Sequence, residues 1–162
     1  MCPPSQRQVF AFILLASLAS MASALYLQYA VHLHPCPLCI FQRVAMMTVG
    51  LIALIATLHD GGRFSRRAYA LLLALAALAG AGVATRHIWL QHLPADQVPD
   101  CGPGLNYMLQ VFPMQKVLSL VLRGSGECAK IDWTLLGLSL PELSFAAFFS
   151  IFLLAVWQML RR

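Results

Sequence analysis

The chain has 162 residues, of which 60% are hydrophobic and only 10% charged, against roughly 25% charged in an ordinary soluble domain. Such a chain cannot coat a water-facing surface, and its apolar residues fall in long runs, so lipid is the expected solvent for most of it. The net charge of +5 could suit nucleic acid, but the basic residues flank hydrophobic runs and form no stripe with interleaved aromatics, so no nucleic-acid partner is expected.

A helix needs about 20 apolar residues to cross a bilayer core about 30 Å thick. Residues 9–31 form the first such run. Its Ala22-Ser23-Ala24 resembles a cleavage site, but the run continues to Val31, too long for a typical signal core. Cys2 precedes it and reads as a free thiol. A short turn over residues 32–39 follows, and residues 40–58 form the second run. Residues 69–85 are slightly short but almost purely Ala, Leu and Gly. Ala70, Ala74, Ala77, Gly80, Ala81 and Gly82 recur there and permit close helix contact in lipid. A long polar segment over residues 88–143 leads to the fourth run, 144–160, entered through Pro141, which the first turn of a helix tolerates. Within that segment, residues 117–122 are apolar but too short to span, and read as an amphipathic helix along the interface.

The fold expected is therefore all-α: a single membrane domain over residues 1–162, a four-helix bundle with two loops on one side. Arg7, the Arg63/Arg66/Arg67 loop and Arg161-Arg162 mark the cytoplasmic side. Both termini then lie in the cytoplasm. The opposite loop carries Asp96, Asp100, Glu127, Asp132 and Glu142 against Lys116, Arg123 and Lys130.

Four of the five cysteines, Cys36, Cys39, Cys101 and Cys128, map to the outward loops, where an oxidising compartment favours disulfides. Cys36-Pro37-Leu38-Cys39 is a C-x-x-C. A zinc ribbon would need a second C-x-x-C, and attachment of c-type haem would need His where Ile40 stands, so no metal is expected and a redox pair is the leading reading. Pro37 suits the first position of the second helix, which places Cys39 in its first turn. Unpaired amides and the helix dipole favour a thiolate there. Arg43, four residues on, shares that face about a turn inside the membrane, where an ionisable group is costly and usually functional. Cys101 and Cys128 are flanked by Gly102-Pro103-Gly104 and Gly124-Ser125-Gly126. Those flanks predict mobile, exposed cysteines suited to exchange, with a structural staple of roughly 3–4 kcal/mol as the other reading.

Taken together, these residues resemble the DsbB family of disulfide bond formation proteins. The resemblance rests on the C-x-x-C followed by Arg43, on His87-Ile88-Trp89-Leu90-Gln91, on Cys101 and Cys128, and on Gly126-Glu127-Cys128-Ala129 leading to Asp132-Trp133 and Leu136-Gly137-Leu138. It covers essentially the whole chain. It implies a thiol:quinone oxidoreductase of the bacterial inner membrane, since the DsbA–DsbB–quinone route is known to keep the bacterial periplasm oxidising. On that reading a periplasmic DsbA-type thioredoxin-fold oxidase attacks a Cys101–Cys128 disulfide, and the electrons pass to Cys36 and Cys39. From there they reach the membrane quinone pool, with ubiquinone expected and menaquinone the variant. Arg43 and His87 would then bind the quinone, Arg43 steadying the thiolate and the negative charge developing on the quinone oxygen. His32, His34 and His92 read as exposed or structural, and Trp89 and Trp133 as interfacial anchors. A monomer is expected.

Four other readings compete. A paralogue serving one dedicated thiol oxidase is the runner-up. A non-catalytic membrane subunit with structural disulfides leaves Arg43 beside Cys39 unexplained. A haem carrier would need His pairs across two spans, and His59 and His87 sit at opposite membrane faces. A vitamin K epoxide reductase-like enzyme would carry its C-x-x-C on the last spans.

Overall fold

The computed structural model describes residues 5–59, 61–94, 96–100, 102 and 105–161. Four long helices form the bundle: α1 (Gln6–Tyr29), α2 (Pro37–Leu58), α3 (Arg63–Gln91) and, last in the chain, α7 (Leu140–Leu160). All four are long and apolar enough to cross a membrane, so the chain is a multi-pass membrane protein. Between α3 and α7 lie α4 (Leu105–Val111), α5 (Met114–Arg123), α6 (Gly126–Ala129) and a hairpin of β1 (Thr134–Leu135) and β2 (Leu138–Ser139). The hairpin is antiparallel, with Thr134 opposite Ser139, and turns through Leu136 and Gly137, both at positive φ.

Local chemistry sets the helix ends. Ser5 caps α1, its hydroxyl accepting from Gln8 N–H while the Gln8 side chain accepts from Ser5 N–H. Cys36 caps α2, and Pro37 occupies the first turn. Glu142 reaches back to Ser139 N–H at 2.6 Å at the start of α7. α1 starts before its apolar run but ends at Tyr29, short of Val31, whereas α3 runs well beyond its stretch, its 29 residues spanning about 43 Å at 1.5 Å per residue. Hydropathy locates where lipid ends. The helix continues into the interface at both ends, through Arg63 and Arg66 on one side and Arg86 to Gln91 on the other.

In the membrane layer, α3 packs chiefly on α7 and α2, and α2 also packs on α1. The small residues of α3 make this possible: Ala70, Ala74, Ala77, Gly80, Ala81 and Ala84 are buried. A methyl group at Gly80 would collide with the Phe148 ring. Gly82, read as part of the same stripe, faces outward with nothing near it. The outer surface carries exposed Phe12, Leu15, Leu18, Leu51, Leu75 and Leu153, the apolar coat that lipid requires. At the far end from the loops, Gln158 donates to the Gln6 carbonyl at 3.2 Å and ties α7 to α1.

A second core lies under the long loop. Val117 and Val121 of α5 bury against Leu38, Leu90, Met108 and Cys128, while Met114, Leu118 and Leu122 of the same helix stay exposed. The amphipathic segment anticipated from residues 117–122 is thus a ten-residue helix. Arg86 holds its C-terminus, donating to the carbonyls of Leu122 at 3.0 Å and Arg123 at 2.9 Å, groups that a helix end leaves unpaired. The same guanidinium stacks 4.1 Å from the Trp89 ring.

Candidate functional site: a cysteine cluster beside a cavity in the bundle

The N-terminus of α2 organises the site. Cys36, in extended backbone, caps the helix through its sulfur, which accepts from Cys39 N–H at 3.3 Å. Pro37 starts the helical turn, and that turn brings the Cys36 thiol to 3.1 Å from Cys39 Sγ. From α3, His87 points Nε2 at Cys36 Sγ, 3.7 Å away. Its Nδ1 lies 3.1 Å from Nε2 of Gln42, one helical turn after Cys39. His87 and Gln42 are both buried.

Cys128 arrives from above. α6 packs on the outer end of α3, and Cys128 N–H donates to the Ser125 carbonyl at 2.9 Å. The sulfur of Cys128, that of Cys36 and a ring nitrogen of His87 all lie within 4.8 Å of one another. Cys128 is 1% exposed, which corrects the expectation of a mobile, exposed cysteine. The flanking glycines serve close packing instead. Gly124 adopts φ 86°, and a Cβ there would strike the Leu90 side chain. Gly126 is itself buried. Cys101 lies outside the described residues, so its expected pairing with Cys128 is not seen here.

Hydrogen bonding divides the protons between these sulfurs. The Cys36 thiol bonded to Cys128 holds the Cys128 pKa below the usual thiol value, against the opposing effect of burial. The same bond, with that to Cys39 and burial, pushes Cys36 far above it. Cys36 therefore keeps its proton to higher pH than Cys128 does.

Below the sulfurs a cavity of about 490 Å³ runs between α1, α2, α3 and α7. Cys36, Cys39, Gln42, Arg43 and His87 line its polar side, and Met21, Leu27, Met46 and Phe148 its apolar side. Arg43 is partly buried. Its guanidinium donates to the Gln28 side chain, and to the Ala24 carbonyl at 3.1 Å. Gln91 also lines the cavity, and its Oε1 is buried with no partner among the described residues.

Residues 6–158 match the family described as Disulfide bond formation protein DsbB. The chain belongs to the DsbB family. It is 54% identical over 158 residues to Disulfide bond formation protein B of Acinetobacter baumannii, covering 97% of this chain and 92% of that one. It is 55% identical over 159 residues to the protein of the same description from Acinetobacter baylyi, covering 98% and 93%. With that of Stutzerimonas stutzeri the identity is 45% over 158 residues, covering 98% and 97%. Disulfide bond formation is thus the chemistry of the family to which this four-helix membrane bundle belongs.

Cys36, Cys39, Cys128, Arg43 and His87 converge on one end of the bundle, although they come from three separate segments. His34 and Trp133, read as peripheral, stand in the cavity wall. Gln28 and Gln42 escaped the sequence reading altogether. Both are polar residues within or beside apolar runs, where a side chain that can hydrogen-bond needs a partner, and asking for that partner would have found them.

Proposed function

We propose that this DsbB-family chain reoxidises a periplasmic DsbA-type dithiol and passes the electron pair to a membrane quinone, ubiquinone or menaquinone. The observation that carries the reading is the order of the sulfurs: Cys128 beside Cys36, Cys36 beside Cys39, and, among the described residues, only Cys36 and Cys39 in the cavity wall. Cys36 stands between an exchange partner above and a ligand cavity below. The cavity suits a ligand with a polar ring and an apolar tail, and its volume is ordinary for a small-molecule site. Arg43 can donate to a ring oxygen. Gln91 Oε1, left without a partner, can accept from a hydroxyl.

The steps follow thiolate exchange. A thiolate of the partner attacks Cys101 of a Cys101–Cys128 disulfide, forming a mixed disulfide and releasing Cys128 as thiolate. That thiolate attacks Cys36 of a Cys36–Cys39 disulfide, and Cys39 leaves as thiolate at the first turn of α2. The partner's second thiol then displaces Cys101, leaving the partner oxidised. Cys101 attacks Cys128 in turn, restoring the loop disulfide and returning Cys36 to the thiol. Quinone, when bound, supplies a sink for two electrons and two protons. Cys36 and Cys39 close to a disulfide as they give these up, with Arg43 holding the ring oxygen and His87 beside Cys36 placed to move its proton.

The test is quinone reduction by the detergent-solubilised protein given a reduced DsbA-type dithiol. Turnover that disappears in Cys39→Ser and in Cys101→Ser supports the route through both pairs. Silence of the parent with ubiquinone, menaquinone and a panel of thiol partners would overturn it in favour of a structural membrane subunit.

A further inference from the structure

We propose that Cys36, Cys128 and His87 form a binding site for a soft divalent d¹⁰ cation, Zn²⁺ above all, open only when both cysteine pairs are reduced. Three ligand atoms on three segments lie mutually within 4.8 Å. Tetrahedral zinc, with bonds of about 2.3 Å to sulfur and 2.0–2.1 Å to nitrogen, requires separations of about 3.8 Å between sulfurs and about 3.5 Å from sulfur to nitrogen. The Cys36 Sγ to His87 Nε2 distance is 3.7 Å, and the remaining pairs, within 4.8 Å, need to close by about 1.3 Å at most. Cys39 Sγ, 3.1 Å from Cys36 Sγ, lies outside this group of three, so the fourth position is open to a water from the cavity.

The chemistry of the set is selective. Thiolates and imidazole favour zinc over magnesium or calcium, which want oxygen. Cys36, His87 and Cys128 are 8%, 3% and 1% exposed, so water competes poorly. Two thiolates and a neutral imidazole cancel the dication's charge, which a buried site needs. Gln42 supplies the outer support that a metal-bound histidine requires. Its amide now faces Nδ1 of His87. Turned over, it accepts from Nδ1–H and leaves Nε2 free for metal. No spacing in the sequence announces this site, because Cys36 and His87 are 51 residues apart.

Binding changes no oxidation state. The Cys36 thiol, and Cys128 where it is protonated, lose their protons to solvent, and two metal–sulfur bonds and one metal–nitrogen bond form, with water in the fourth position. An occupied site ties up the sulfurs that exchange uses, so the reduced chain is arrested until the metal leaves. That consequence rests on the proposed exchange function, whereas the site itself does not.

The experiment uses the full chain carrying Cys2→Ser, reduced by a phosphine under anaerobic conditions and titrated with Co²⁺ as the spectroscopic probe. We expect one tetrahedral Co²⁺ per chain with sulfur-to-cobalt charge-transfer bands, bleached by equimolar Zn²⁺. The oxidised chain gives no such bands. Cys128→Ser and His87→Ala abolish the tetrahedral spectrum, and Gln42→Ala weakens binding about tenfold. A tetrahedral spectrum that survives in both Cys128→Ser and His87→Ala would overturn the site, placing the metal on the C-x-x-C alone. So would the absence of tetrahedral bands from the reduced parent. A second measurement needs no substitution at the site: alkylation of the reduced chain followed by mass spectrometry, with Zn²⁺ or with a chelator. Zn²⁺ should slow modification of Cys36 and Cys128 together, by about tenfold or more. Protection confined to Cys36 and Cys39 refutes the proposal even where the variants fail to fold. Quinone turnover is not the readout, so failure of the exchange function leaves both measurements valid.

Discussion

Gln42 and His87 form a buried polar pair across α2 and α3: the amide Nε2 of one lies 3.1 Å from Nδ1 of the other. With the amide so placed, its N–H donates to Nδ1, and the remaining ring proton sits on Nε2, facing Cys36 Sγ. One glutamine thereby holds the direction of the histidine that touches the capping cysteine, and the way its amide is turned selects the ring tautomer.

Gln42→Leu keeps much of the volume but leaves a buried ring nitrogen without its partner. The expected cost is about 1–3 kcal/mol of stability, read as a lower Tm by circular dichroism in detergent. Gln42→Glu, which can still bond to the ring, should lose less. An unchanged Tm in Gln42→Leu would mean that the pair does not hold the helices together.

Arg43 gives a kinetic prediction. Its guanidinium reaches the Gln28 side chain and the Ala24 carbonyl at once, a forked geometry that a lysine ammonium cannot copy. We expect Arg43→His to raise the apparent KM for quinone more than Arg43→Lys, which keeps the charge. Gln28→Ala should move KM in the same direction by a smaller factor, and should add little on top of Arg43→His, since the two share one interaction. Equal quinone kinetics in the parent and both Arg43 variants would remove the residue from the site.

Much of this arrangement was legible in the sequence, for identifiable reasons. Four apolar runs, Pro37 after Cys36, and Arg43 one turn beyond Cys39 each encode local structure, so α2 and its capping cysteine follow from neighbouring residues alone. The long loop was harder. Glycines around Cys128 read as freedom, yet Gly124 and Gly126 allow the chain to approach Leu90 closely and bury the thiol. Only the tertiary fold distinguishes a glycine that loosens a loop from one that lets it pack. The same limit hid Gln42, whose partner His87 lies 45 residues away, and Arg86, which caps a helix 36 residues downstream.

The sulfurs should titrate apart. In the reduced chain the bond from Cys36 holds the Cys128 pKa down and raises that of Cys36. Alkylation of Cys128 should therefore reach half its limiting rate below the ordinary thiol value of about 8.5, and Cys36 well above it. The signs for stability are opposite. The Cys128 contribution is present above the unfolded pKa and is lost as pH falls through the depressed folded value. The Cys36 contribution is present below the unfolded pKa and is lost as pH rises through the elevated one. Cys36→Ala should return the Cys128 half-point toward about 8.5. A half-point that stays low in that variant would assign the effect to the Ser125 and Leu38 amides instead.

Gly124 tests whether burial of Cys128 depends on the turn before it. Its φ of 86° and ψ of 164° lie in a region that is essentially reserved for glycine, where another residue costs about 1–3 kcal/mol. A Cβ there also meets Leu90, a fully buried residue packed in the same cluster as Cys128. Gly124→Ala must either strain the backbone or lift the segment that carries α6. The expected outcome is a lower Tm together with faster alkylation of Cys128 in the reduced chain, while Cys36, held by the α2 cap, changes less. The Gly82→Ala control, at an outward position with open space around it, should leave both measurements where they were. If Gly124→Ala lowers Tm without exposing Cys128, the strain is absorbed within the turn, and α6 is held by its own contacts with α3.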